Sequence, residues 1–124
     1  MALPLELPMR VLGVLHINIE VTDLARALAF YRRLGLTEIP RAEGAERDGS
    51  WLRFADGREL HLSVGPPKAP SRSHLALLVD DLAAARACFE ELQAPIEAGR
   101  PLPGMDRFFV RDPDGNRIEV AQKL

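Results

Sequence analysis

Apolar residues along this chain fall into two periodicities, and their alternation predicts one unit built twice. Residues 13–21 are apolar and β-rich, as a strand requires. Thr22 or Asp23 then caps a helix whose Leu24, Ala27, Leu28 and Tyr31 share one face, and Gly35 ends it. Short strands are expected near 36–40, 49–55 and 58–64, the last two joined through Asp56-Gly57, a hairpin signal. The proline-rich stretch GPPKAPSRS, residues 65–73, interrupts both patterns. Beyond it the order repeats. A strand from residue 73 precedes a helix starting at Asp80 or Asp81, with Leu82, Ala85, Phe89 and Leu92 inward and Pro95 after its end. Strands near 95–98, 106–111 and 116–122 follow, with Pro113-Asp114-Gly115 as the equivalent turn. The chain therefore reads as a single domain of two βαβββ modules, 10–64 and 73–123, joined by a linker at 65–72.

The repetition is visible residue by residue. Shifting the chain by 58 positions lays HINIEVTDLARALAFYRRL (16–34) over HLALLVDDLAAARACFEEL (74–92), matching His16 with His74, Asp23 with Asp81 and Leu34 with Leu92. The same shift, without a gap, lays WLRFADGRELHL (51–62) over FVRDPDGNRIEV (109–120). One register at both ends argues for duplication. It also places His61 on Glu119, so each module carries a polar, potentially ligating residue on its first strand and another 45 positions later on its last. All three histidines of the protein occupy such positions. Glu59 shares a strand face with His61 but falls on Arg117, which makes His61 the better candidate.

A single strand histidine is ordinarily a hydrogen-bonded core or rim residue, and a carboxylate beside apolar residues is ordinarily solvated. Four such groups at symmetry-related positions point elsewhere. Glu119, flanked by Ile118 and Val120, would be costly to bury alone; grouped with three imidazoles around a cation it is satisfied. Three nitrogens and one carboxylate oxygen suit Zn, Ni, Co, Fe or Mn, and a shell that expands beyond four leaves room for substrate oxygens.

Composition narrows the remaining classes. With 124 residues, 47% hydrophobic and 27% charged, the chain is long enough for a real core. A formal charge of −2 gives no general attraction to phosphate backbones or anionic membranes, so no nucleic-acid partner is expected and a small-molecule substrate is. The lone Cys88 excludes an internal disulfide and fits a half-buried helix position. MALPLELPMR lacks the features of a signal peptide, and no stretch approaches the length of a membrane span; a cytoplasmic location is expected.

The duplicated module, the histidine opening each half, the phrase HLALLVDDL and the DPDGN turn followed by IEV resemble the vicinal oxygen chelate superfamily of glyoxalases, extradiol dioxygenases, fosfomycin-resistance proteins and bleomycin-binding proteins. The resemblance spans roughly residues 10–123. It implies an α+β fold whose tandem βαβββ modules form a curled mixed sheet around a central cleft. It further implies metal ligands at His16, His61, His74 and Glu119, the four positions that the internal register selects, with Glu119 or a dissociable His61 moving a proton. A glyoxalase-like lyase or isomerase that chelates adjacent substrate oxygens is the leading expectation. An extradiol dioxygenase using His16, His74 and Glu119 is the alternative, and a metal-free drug-binding protein is the non-enzymatic one.

Around those four positions, Trp51 and its repeat partner Phe109 lie one strand in and are candidates for a pocket wall. Arg111 and its counterpart Arg53 are candidates for a substrate carboxylate clamp, against an ordinary turn contact to Asp114 and Asp56. Arg107 is open between the two roles. The loops 41–50 and 99–106 are placed to select substrate. Relatives pair through exposed sheet edges, so a homodimer is expected, with the modules meeting within one chain or across two.

Overall fold

The computed structural model describes residues 8–45 and 47–124; residues 1–7 and Glu46, on which parts of the N-terminal and loop expectations fall, lie outside the described residues. The elements run β1 (His16–Val21), α1 (Leu24–Arg33), β2 (Thr37–Ile39), β3 (Gly49–Arg53), β4 (Glu59–Val64), β5 (His74–Leu78), α2 (Leu82–Glu91), β6 (Ile96–Ala98), β7 (Met105–Arg111) and β8 (Arg117–Lys123). Both helices start where a short carboxylate caps them. Asp23 accepts from Arg26 N at 3.1 Å and Asp81 from Ala84 N at 3.0 Å, each satisfying one of the amides that a helix start leaves without an intrahelical partner. The hairpin turns use Gly57 at φ +89° and Gly115 at φ +83°, a region where a Cβ would be strained.

Each module forms its own four-stranded sheet, in the order β1-β4-β3-β2 and β5-β8-β7-β6. In both, the first strand pairs parallel with the last and the remaining pairs are antiparallel. The expected α+β architecture of two βαβββ modules is present, with two separate mixed sheets in place of one curled sheet, because β1 and β5, the strands that would join the halves, each end their own sheet. Strand β1 also begins later than the apolar run suggested. Its first partner is Glu59, and upstream of Glu59 the chain turns back at Asp56-Gly57, so among the described residues Val14 and Leu15 find no strand to pair with, and they stay 59% and 83% exposed.

The apolar face of each sheet is closed by its own helix. Leu52, Leu60 and Leu62 from the first sheet and Phe108, Val110, Ile118 and Val120 from the second are buried with Ala27, Phe30, Tyr31 and Phe89 of the helices in one continuous core. Fully burying one such side chain stabilises the fold by roughly 1.5–3 kcal/mol, so truncating Leu60, which has no exposed surface, is the kind of change that opens a cavity. Phe30 of α1 meets Phe89 of α2 at a ring separation of 6.0 Å, joining the two halves of that core.

A polar seam fixes the modules to one another. The Tyr31 hydroxyl, buried in α1, donates to Asp112 Oδ2 at 2.7 Å, and Thr22 donates to Asp114 Oδ1 through its amide and its hydroxyl at 2.9 and 2.6 Å. Asn116 Nδ2 donates to the Glu20 carbonyl at 3.1 Å. The DPDGN turn is thus a clasp as well as a turn. Asp112 orders it internally by accepting from Asp114 N and Asn116 N. Burial first, then the charge of Asp112 and the hydrogen bond to it, push the Tyr31 hydroxyl well above its ordinary pKa.

Candidate functional site

The face of each sheet turned away from its helix carries the candidate residues. On the first sheet, parallel pairing sets His16 beside Glu59 and Asn18 beside His61, and antiparallel pairing sets Trp51 opposite His61. Side chains two apart share a face, so His16, Trp51, Glu59 and His61 form one cluster. The His61 ring lies between two others, with Trp51 stacked at 4.0 Å and 2° on one contact and His16 at 3.9 Å and 15° on the other. This sandwich buries His61 on an otherwise open face, leaving it 8% exposed. His61 Nε2 lies 2.9 Å from Glu59 Oε1, and since a carboxylate only accepts, it is Nε2 that donates in this contact, which in the neutral ring leaves the lone pair on Nδ1.

Two nearly parallel rings do not share an in-plane point, and a metal binds an imidazole close to the ring plane. As placed, His16 and His61 therefore present nitrogens of which one at a time can meet a common ion, and joint ligation requires one ring to rotate about its side-chain torsions.

The second sheet repeats the layout with different chemistry. Arg117 lies beside His74, Ala76 beside Glu119, and Phe109 opposite Glu119. His74 Nδ1 donates to the Arg72 carbonyl at 3.0 Å, an acceptor that requires this nitrogen to carry hydrogen. The other nitrogen, Nε2, lies 3.2 Å from Glu119 Oε1. In a neutral imidazole that puts a lone pair against a carboxylate, an arrangement that calls for a proton or a cation between them. Two donors about 2.1 Å from one ion and at right angles lie about 3 Å apart, the spacing found here. Glu119 is buried and also receives Arg107 Nη1 at 3.3 Å.

The structure thus brings the four predicted ligands together in pairs, His16 with His61 and His74 with Glu119. It does not bring the pairs together: among the described residues, no group of three or more His, Cys, Asp or Glu side chains is arranged to hold a metal ion. A cleft of about 690 Å³ runs between β1 and the starts of β5 and β8, lined by Ile17, Ile19, Tyr31, Lys68 and Asn116, and of the four candidates only His74 borders it. The chemistry of the donor set fits a divalent cation; one chain supplies that set in two halves.

Trp51 and Phe109 do flank the candidate ligands, Trp51 through its stack on His61 and Phe109 through an edge contact with His74 at 5.5 Å. Neither arginine contacts its turn aspartate: Arg53 lies 3.8 Å from Glu59, and Arg111 donates to the Gly115 carbonyl at 2.9 Å. Asp56 is taken instead by the nearer Arg58, at 3.0 Å, and Asp114 by Thr22 and Arg26. Sequence reasoning passed over Glu59 as the partner of His61 and did not single out Arg117, whose guanidinium sits 3.8 Å above the Phe109 ring. The signal for Arg117 was available in the alternation, two residues before Glu119 on the same face.

Comparison with known proteins agrees with this architecture. Residues 13–120 match the Glyoxalase/Bleomycin resistance protein/Dioxygenase superfamily. The chain is 37% identical to the Escherichia coli protein YaeR over 122 residues, 87% of this chain and 94% of that one. It is 26% identical to Glyoxylase I 4 of Arabidopsis thaliana over 129 residues, 92% of this chain and 72% of that protein. A crystal structure of a Bacillus anthracis protein assigned to the glyoxalase family superposes with a TM-score of 0.84 at 27% identity, covering 95% of this chain and 100% of the other. The fold alone is shared with the Listeria monocytogenes fosfomycin resistance protein FosX, solved with Mn(II) and sulfate, at a TM-score of 0.79 and 17% identity over 93% of each chain. Taken with the duplicated sheets and their paired polar faces, these matches show that the chain belongs to the glyoxalase/bleomycin resistance protein/dioxygenase superfamily.

Proposed function

We propose that the protein is a cytoplasmic, divalent-metal-dependent enzyme of glyoxalase-like type, acting on a small substrate through two adjacent oxygens. The observation that carries this reading is the His74–Glu119 pair, two donors side by side at 3.2 Å with the imidazole hydrogen committed to the Arg72 carbonyl. His16 and His61 are the matching half, and a homodimer in which each centre takes one half from each copy supplies the full set. The open edges β1 and β5 favour such pairing, because an unpaired row of backbone donors and acceptors is a template for a second chain.

A Zn, Ni, Co, Fe or Mn ion held by these residues would supply Lewis-acid polarisation of a substrate carbonyl. The residues of the chain do the rest. His74 and Glu119 fix the substrate end of the face, Glu119 exchanges a proton with the adjacent carbon, and Glu59 holds His61 so that its Nδ1 is directed away from the carboxylate. Trp51 and Phe109 form the apolar walls on either side.

The parallel His16 and His61 rings favour one further reading, a three-ligand centre of His16, His74 and Glu119 with His61 held back as a neighbouring group. That set is the two-histidine, one-carboxylate arrangement of oxygen-activating iron sites, and it directs a search toward catechol substrates.

Complementation tests the assembly. One variant carries His16→Ala and His61→Ala, the other His74→Ala and Glu119→Ala; each alone is expected to hold no stoichiometric metal by elemental analysis. If centres form across chains, re-equilibrated equal mixtures regain about a quarter of the wild-type metal, since about half the dimers are mixed and each has one intact centre. No recovery refutes the cross-chain centre. Absence of metal in wild-type protein purified without chelator, and after incubation with each of the five ions, refutes the metal reading and leaves a binding protein.

A further inference from the structure

The two modules differ in charge at one pair of matched positions outside the candidate ligand set. In the first sheet, Arg53 of β3 lies opposite Glu59 of β4, 3.8 Å apart, a cross-strand pair that neutralises itself. The same two positions in the second sheet are Arg111 of β7 and Arg117 of β8, again directly opposite each other. An ion pair has become two facing cations. Like charges opposite one another across an antiparallel pair destabilise a sheet, so a folded chain that keeps them needs a counter-charge.

Among the described residues, no carboxylate lies within 4.0 Å of either guanidinium, and every carboxylate within 4.0 Å of a basic group is paired elsewhere. Arg111 uses Nη1 on the Gly115 carbonyl at 2.9 Å and on Ser71 O at 3.5 Å, and Arg117 uses Nη1 on Arg72 O at 3.5 Å. Each guanidinium has five N–H donors in a planar fork, which leaves most of them unused. The Arg117 guanidinium lies over the Phe109 ring at 3.8 Å, a cation–π contact that holds it on this face of the sheet. Arg107, the third arginine of this face, is neutralised by Glu119 at 3.3 Å. A cavity of about 40 Å³ opens between Pro95, Glu97, Phe109, Arg111 and Arg117, and Glu97, though it lines the cavity, forms no ion pair among the described residues.

We propose that Arg111 and Arg117 form an oxyanion subsite that binds a carboxylate or phosphate-like group of the substrate. His74 lies beside Arg117 in the sheet register, so this subsite adjoins the His74–Glu119 pair. The proposal rests on that face being the reactive one and adds a substrate class: a small molecule with vicinal oxygens at one end and an anionic group at the other. A neutral diketone or aldehyde leaves the two guanidinium groups uncompensated and is the poorer substrate.

The test uses full-length, metal-free protein, so that it does not depend on the metal centre. Inorganic phosphate and acetate are titrated separately against amide and guanidinium NMR resonances, with sodium chloride at matched ionic strength as the reference. Saturable shifts centred on Phe109, Arg111 and Arg117 are expected from phosphate or acetate and not from chloride, and whichever binds more tightly identifies the shape of the head group. Arg117→Glu restores the ion pair of the first module; it is expected to weaken binding at least about tenfold while raising the melting temperature, because it removes the like-charge contact. Equal shifts in chloride, shifts centred elsewhere, or unchanged binding in Arg117→Glu each overturn the proposal. A lower melting temperature in that variant would show that the facing arginines are part of the fold and overturn it too.

Discussion

Replacing Tyr31 by Phe removes one oxygen from the seam between the modules and leaves the core volume almost unchanged. That oxygen is buried and donates to Asp112 Oδ2 at 2.7 Å. A hydrogen bond to a charged acceptor contributes about 1.5–3 kcal/mol. Asp112 Oδ2 keeps a second donor, Asn116 Nδ2 at 2.9 Å, so the carboxylate is not orphaned and the lower end applies, about 1.5–2 kcal/mol. For a chain of this size each kcal/mol moves the melting temperature by about 3–5 °C, so a drop of about 5–10 °C is expected by calorimetry or circular dichroism. Alkaline pH provides an independent check. The folded Tyr31 pKa lies above its unfolded value of about 10, so the unfolded chain loses its phenolic proton first, and wild-type stability falls as pH rises above about 10. The Phe variant lacks this contribution to the alkaline slope. Because Tyr31 is the only tyrosine in the protein, tyrosinate absorbance near 295 nm reports it alone. Tyrosinate appearing near pH 10 with far-ultraviolet circular dichroism intact would refute the buried-donor argument, as would a Phe variant that melts with the wild type.

Other outcomes follow from the same geometry. Glu59→Ala frees the His61 ring, and if His61 ligates metal, affinity measured by competition with a chelating dye falls about 10–100-fold, as for other groups that orient a ligand; unchanged affinity removes His61 from the ligand set. Trp51 is the sole tryptophan and stacks on His61, so stoichiometric Co(II) or Ni(II) is expected to quench its emission, and undisturbed emission from metal-loaded protein argues against a centre beside it. Asp81→Ala deletes the cap of α2 and is expected to cost about 0.5–2 kcal/mol in urea denaturation, with no change in metal content.

The order and type of every element were legible in the sequence, because period-two and period-3.6 patterns alternate cleanly and carboxylate caps and Gly turns punctuate them. The duplication register also located both polar faces, since a strand face is fixed by parity alone. Three features needed coordinates. Strand β1 starts at His16 because pairing, not β-propensity, decides where a strand begins. The separation of the ligand pairs depends on how one module sits against the other, which local patterns do not encode. The partner of each arginine depends on reach: Asp56 and Asp114 were near in sequence to Arg53 and Arg111, yet Arg58 and Thr22 were better placed.

The seam bonds join residues 81 to 96 positions apart and run from the end of β1, the start of the following connection and α1 to the turn after β7, bypassing residues 65–73 altogether. Cohesion of the halves therefore does not rest on covalent continuity. Severing the backbone in that stretch should give two fragments that reassociate, and a permuted gene opening at residue 73 and closing at residue 64 should encode the same fold.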